Sequence, residues 1–169
     1  MVKFTFVSME VDPGCAAAIV DDEIDNDELQ RCKQTYETQL SRGQPSCVAM
    51  FDYATALIRS RTHKDVRLGV ALLQELCKQD EEDVEKRDYV YFLAIGHTKL
   101  KNYDEALKFI KFLLQNEPTN YQARCMKALI EQRMRKDGLV GAAIVGGVFM
   151  VSGVVGLGVL AGYHALKRR

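Results

Sequence analysis

A chain of 169 residues with 23 acidic and 23 basic side chains carries no broad field that would draw it to nucleic acid. Its five cysteines (Cys15, Cys32, Cys47, Cys77, Cys125) are odd in number and scattered, with no C-x-x-C pair, which excludes a disulfide framework and fits reduced thiols facing the cytosol. No N-x-S/T acceptor is present, which also suits a chain that is not secreted.

Residues 1–20 begin with apolar patches around Phe4 to Val7 and Ala16 to Val20, interrupted by Glu10, Asp12 and Pro13-Gly14. A signal peptide needs an unbroken apolar stretch of roughly 7 to 15 residues, so this segment is expected to be a flexible arm. The acidic run Asp21 to Glu28 follows. A calcium loop starting at Asp21 would need Gly and Glu where Asn26 and Cys32 stand, so these acids read instead as the dipole-favoured start of a helix. That helix puts Leu29, Cys32, Tyr36 and Leu40 on one face and stops at Gly43-Gln44-Pro45. Val48 to Ser60 form the next helix, and Val66 to Cys77 another with Val66, Val70 and Leu73 inward. Asp80 to Asp88 reads as a solvated connection. The fourth helix carries Val90, Leu93, Ala94, His97 and Leu100 inward. Asn102 caps a fifth with Ala106, Ile110, Leu113 and Leu114 on its apolar stripe. After Pro118, Thr119-Asn120-Tyr121-Gln122 has capping-box form and opens a sixth, which ends in the basic Arg133, Arg135 and Lys136. No β-type alternation of useful length occurs, and about 135 residues suit one compact domain.

The run Leu139 to Leu166 holds no Asp, Glu, Lys or Arg. A helix of roughly 20 apolar residues crosses a hydrocarbon core, so this run predicts a transmembrane anchor over 138–166. The short basic tail Lys167, Arg168 and Arg169 completes it as a targeting element, and residues 21–137 form the domain in water. Small residues recur four apart at Ala142 and Gly146, Ser152 and Gly156, and Gly158 and Gly162. They serve either close helix pairing in lipid, and so a homo-oligomer, or sorting through modest hydrophobicity. Gly156 to Ala161 matches G-x-G-x-x-A only formally, because no second strand or distant acid follows.

Period decides the domain. With Arg87 opening a tetratricopeptide unit of roughly 34 residues, Leu93, Ala94, Ala106, Leu113 and Pro118 meet the pattern's apolar, small and proline positions. Val90 and His97 replace the usual Trp and Tyr. A looser unit precedes it, with Ala54 and Gly69 as its small residues and a longer turn at Ser60 to Asp65. The expected fold is all-α: a six-helix tetratricopeptide-like bundle of two repeat pairs with flanking cap helices, plus one transmembrane helix. Its first helices would line a concave, partner-binding groove with Phe51, Thr55 and Ile58 from one unit and Asp88, Tyr91, Ile95 and Thr98 from the other. His97 reads as a core or boundary histidine, and His63 and His164 stand apart from it, so the residues assemble no metal site, no cofactor site and no catalytic set; the chain is not expected to be an enzyme.

The segments FDYATALIRS (51–60), RLGVALLQEL (67–76), KRDYVYFLAIG (86–96), YDEALKFIKFLLQNEP (103–118) and KDGLVGAAIVGG (136–147) stand in the order and spacing of the mitochondrial fission 1 protein family, which this chain resembles. The resemblance implies a tail-anchored adaptor without a catalytic site, recruiting dynamin-type fission GTPases or their adaptor proteins to the mitochondrial outer membrane and, in some members, to peroxisomes. Insertion would follow translation and leave the domain in the cytosol. The first twenty residues depart from the family, although arms of some members lie across the groove. Two other readings are a tail-anchored co-chaperone or import receptor, which would want basic residues where Tyr91 and Ile95 stand, and a helical apoptosis regulator, whose groove motif needs a Trp this chain lacks.

Overall fold

The structure is a computed structural model that describes residues 11–79 and 83–138. These form seven helices and no strand: α1 (Pro13–Val20), α2 (Asn26–Leu40), α3 (Cys47–Ile58), α4 (His63–Gln79), α5 (Asp83–Lys99), α6 (Tyr103–Asn116) and α7 (Tyr121–Lys136). Consecutive helices from α2 to α7 pack against one another as antiparallel neighbours, and α3 also touches α5, the geometry of stacked tetratricopeptide hairpins. One cluster of buried side chains runs through the stack, from Met50, Ala54 and Ile58 through Leu73, Leu76, Leu93 and Ala94 to Ile110, Met126 and Ile130.

Small residues set the helix spacings. A methyl group on Gly69 of α4 would stand 2.7 Å from the carbonyl oxygen of Ala54 on α3, so only glycine allows this approach. One on Gly96 of α5 would stand 2.6 Å from Val70 of α4, so the same closeness recurs between the two repeat units. The long α3–α4 turn is held by side chains: the Ser60 hydroxyl donates to Asp65 (2.7 Å), and the Thr62 amide donates to the Ser60 oxygen (3.2 Å). These hydroxyls hold the Asp65 carboxyl below the usual carboxylate range.

Four sequence expectations are revised. The segment expected to be a flexible arm contains α1, because Asp12 accepts from the Gly14 amide as N-cap and Pro13 sits in the first turn, where its missing N–H costs nothing. The connection at 80–88 is shorter than its charge suggests, since α5 begins at Asp83 and Glu, Lys and Arg are good helix formers. Helix α7 is capped by Asn120, which accepts from the Ala123 amide at 2.9 Å, and not by Thr119; Asn102 stands at the N-cap of α6 without a side-chain bond. Leu40 is half exposed and lies off the core; of its stripe Tyr36 packs against the core cluster, its ring 5.1 Å from Tyr53, while Leu29 and Cys32 stay half-buried.

The end of α7 is pinned. Tyr103 donates to Asp137 (2.8 Å), Lys101 pairs with the same carboxylate (3.0 Å), and Gly138 takes the left-handed conformation (φ 74°) typical of a helix stop. No helix among the described residues is long and apolar enough to cross a membrane. The anchor expected over 138–166, with Ala142, Gly146, Ser152, Gly156, Gly158 and Gly162, lies outside the described residues beyond Gly138, as do Lys167, Arg168 and Arg169.

Candidate functional site

The first helices of the stack, α3, α5 and α7, bring one face each to the concave side. At about 100° per residue, Asp88, Phe92, Ile95 and Lys99 lie along one stripe of α5, and Val48, Phe51 and Thr55 along one stripe of α3. Two halves result, and they differ.

Between α5 and α7 the face is filled by the chain itself. Helix α1 packs chiefly on α7 with a smaller contact on α5, and it buries Ala16 and Val20 completely. Tyr91 turns into this half, where the Cys15 and Cys125 thiols stand near its hydroxyl; burial pushes the phenol up to about 12 and the two thiols add to the shift. That hydroxyl is buried and has no hydrogen-bond partner among the described residues.

Between α3 and α5 the face stays open. Phe51 packs on Tyr89 at 5.2 Å and edge-on against Phe92 at 5.5 Å, and both Phe rings remain partly accessible. Val48, one turn before Phe51, is 68% exposed; Asp52 and Asp88 are exposed on the same two helices, and Asp88 pairs with Arg87 (3.1 Å). The result is an apolar, aromatic strip with exposed charged residues of both signs nearby.

Of the seven groove residues expected from sequence, Phe51, Thr55, Asp88 and Tyr91 are at least partly accessible, whereas Ile58, Ile95 and Thr98 are buried. Ile58 is fully enclosed because Gly69 and Gly96 let α4 and α5 close on it. Ile95 lies at the bottom of the face, within the cluster that α1 completes. The Thr98 hydroxyl spends its hydrogen on the Ala94 carbonyl of its own helix (2.7 Å). On the stripe of α5 that carries Asp88 and Ile95, Phe92 and Lys99 are the partly accessible side chains.

The acidic run also does more than start a helix. After α1 the chain crosses the ends of the three groove helices as a strap. Asp21 pairs with Arg133 of α7 (2.7 Å), Asp22 with Arg59 at the end of α3 (2.7 Å) and Glu23 with Arg61 (2.6 Å). The Ile24 amide donates to the Arg59 carbonyl, and Glu28 gives Arg59 a second carboxylate. Lys99 of α5 lies beneath; burial lowers its pKa, and the charges of Glu23, Asp21 and Asp22 oppose that shift. A cavity of about 290 Å³ under the strap is lined by Val20, Asp21, Glu23, Ser60, Arg61 and Lys99, among others. The signal was visible as an acidic triplet and two separate Arg-x-Arg sequences, but only the fold brings them together.

His97, the residue replacing a tetratricopeptide tyrosine, stacks on Phe109 of α6 (5.5 Å between ring centres), and both ring nitrogens are buried without a partner among the described residues. Burial lowers its pKa, with Glu105 acting in the opposite sense.

Comparison with known proteins agrees with this architecture. The Fis1 N-terminal tetratricopeptide repeat matches residues 49–80 and the Fis1 C-terminal tetratricopeptide repeat matches residues 87–139. The mitochondrial fission 1 proteins of Mus musculus and Homo sapiens are each 40% identical over 152 residues, covering 90% of this chain and 98% of theirs. The FIS1-related protein fis-2 of Caenorhabditis elegans is 40% identical over 83% of this chain and 90% of its own. Among solved structures, yeast Fis1 in complex with an Mdv1 fragment containing N-terminal extension and coiled coil domains superposes with a TM-score of 0.64 at 25% identity, over 78% of this chain and 98% of that one. Fis1 of Saccharomyces cerevisiae superposes at 0.62 with 28% identity, over 72% and 92% respectively. The chain belongs to the mitochondrial fission 1 protein family.

Proposed function

We propose that this protein is a non-enzymatic, membrane-anchored adaptor that gathers fission machinery on the mitochondrial outer membrane, and on peroxisomes where it is sorted there. The open α3–α5 strip carries this reading: Val48, Phe51 and Phe92 form an apolar track, which suits the apolar face of an amphipathic helix. A yeast relative has been captured with a fragment of Mdv1 containing a coiled coil, which supports a helical adaptor as the direct partner. A dynamin-type GTPase would then arrive directly or through such an adaptor. The uncharged run 139–166 supports an anchor, with residues 21–137 in the cytosol and the small-residue spacings available for a homo-oligomer in the bilayer. The same strip disfavours a co-chaperone or import receptor, since Val48, Phe51 and Phe92 stand where a peptide carboxylate would need basic side chains.

The test uses Val48→Asp, a change on a surface that is already exposed. Expressed as the full chain in cells lacking the protein, it should keep its mitochondrial location and lose adaptor and GTPase recruitment at least tenfold. Unchanged recruitment would remove the strip from the mechanism. Protease added to intact mitochondria should digest the domain; protection of residues 21–137 would overturn the orientation.

A further inference from the structure

The outer side of α7 carries a groove that the adaptor reading does not use. At about 100° per residue, Arg124, Lys127, Ala128 and Glu131 share one face of this helix. The buried Ala123, Met126 and Ile130 turn elsewhere, into the core, and Arg133 turns to Asp21 of the strap. Those four residues, with Leu114 near the end of α6, line a cavity of about 360 Å³. Helix α7 is the last of the stack, so no further repeat packs on this side among the described residues, and the end of a repeat array is where a cap is needed. Part of the cavity wall is Val11, which is half-buried against the core cluster. The backbone enters α1 extended at Asp12 (φ -87°, ψ 111°), as the following Pro13 favours.

We propose that residues 1–10, which lie outside the described residues, dock in this cavity through Val7 and Met9 and cap the end of the stack. Val11 is already part of the wall, so the segment before it starts at the site. In an extended chain residues two apart point the same way, which puts Met9 and Val7 on the side of Val11. Four residues reach at most about 14 Å, and Arg124 to Glu131 spans about 10 Å of helix, so Val7 to Val11 is long enough to cover the face. Charge agrees with this placement. Arg124 is exposed and forms no ion pair among the described residues, and Lys127 reaches Glu131 only at 3.8 Å. Glu10 supplies the missing carboxylate. Tethering favours this occupant over a separate chain: a short link gives an effective concentration in the millimolar range, which a free partner with the same side chains must match to displace it. Helix α1 is then held at both ends, by the ion pairs of Asp21 and Glu23 after it and by the docked segment before it.

Methyl nuclear Overhauser spectra of the full chain in detergent micelles test the docking directly. Cross-peaks are expected from the Val7 and Met9 methyls to those of Leu114 and Ala128. In a mixture of labelled and unlabelled chains, a filter that keeps only contacts between chains should remove them. Glu10→Arg should weaken the cross-peaks at least threefold, and adding Arg124→Glu should restore them, because the pair is rebuilt with its signs reversed. Cross-peaks unmoved by Glu10→Arg would overturn the pairing with Arg124. Val7 and Met9 methyls at free-peptide shifts, with no cross-peak to α6 or α7, would overturn the docking itself. So would contacts to Val48 and Phe51, which would put the segment on the open strip, or contacts that survive only between chains. None of these readouts involves recruitment, so the adaptor reading and the docked segment stand or fall separately.

Discussion

The two halves of the concave face are built from the same repeat geometry and end in opposite conditions. On the α5–α7 side, where the chain's own α1 packs, the Tyr91 hydroxyl and Cys125 are buried; on the α3–α5 side Phe51, Phe92 and Val48 keep apolar surface open. A tetratricopeptide scaffold supplies a curved face, but the residues on it decide what covers each part. The covered half depends mainly on burial of Ala16 and Val20, because the strap's ion pairs are largely exposed and worth about 0–1 kcal/mol each. The open half has no such cover among the described residues, which is why it is the better docking strip.

The strongest way to break the comparison is to strike the floor common to both halves. Ile95→Asp places a carboxylate at a position 2% exposed, and it should cost about 3 kcal/mol or more, seen as a loss of cooperative thermal unfolding. The groove position that the sequence assigns to Ile95 would make a charge there a probe of binding. The structure makes it a folding mutant, so a recruitment defect in it would say nothing about docking.

That reversal shows where the sequence was legible. The all-helical repeat, the small residues Ala54, Gly69, Ala94 and Ala106, and the proline stop follow local rules of period and propensity, and from α2 onward the helices lie close to where those rules put them. The groove was not read to the same depth, because facing residues on one helix differ by a single step in register. Tyr91 and Phe92 are adjacent in sequence and point to different halves. The strap was hidden for another reason: Asp21 and Arg133 pair across 112 positions, and nothing local distinguishes such an acid from a helix-start acid. Helix α1 was hidden by shortness, since an isolated helix of 8 residues is marginal in water and this one depends on α7.

A more selective blow separates the halves. Val20→Asp buries a charge where α1 meets the strap, and the cheapest response is release of α1 from the groove. Stability should fall by about 1–3 kcal/mol, with amide exchange rising in α1 and staying low in α4 and α6. Protection lost equally in all helices would mean that α1 is an integral part of the core and not a separable cover.

Acid acts on the back of α5, away from both halves. His97 is held neutral by burial, so its pKa in the folded state lies below its unfolded value of about 6.5. Below that value the unfolded chain takes up the proton and the folded one resists it. This contribution is therefore intact above about pH 6.5 and lost as pH falls toward the folded pKa, by at most about 1.4 kcal/mol per pH unit. His97→Phe should flatten that part of the curve measured by urea denaturation at several pH values; an unchanged slope between pH 7 and 5.5 would assign the acid sensitivity to the carboxylates instead.

The smallest effect sharpens the comparison most. Arg61 is 80% exposed in its pair with Glu23, while Arg133 is 25% exposed in its pair with Asp21. Removing Arg61 should change stability by less than about 0.5 kcal/mol, because the pair loses side-chain freedom and gains little Coulomb energy in water. Removing Arg133 should cost more, about 1 kcal/mol, since its stem packs on the α1–α7 seam and its nitrogen bonds both oxygens of Asp21 at 2.7 Å. The difference should appear chiefly as faster exchange in α1 and should shrink in 1 M salt, which screens the strap and leaves apolar burial in place. If both arginines prove equal, the strap follows α1 passively and burial alone keeps that half of the groove closed.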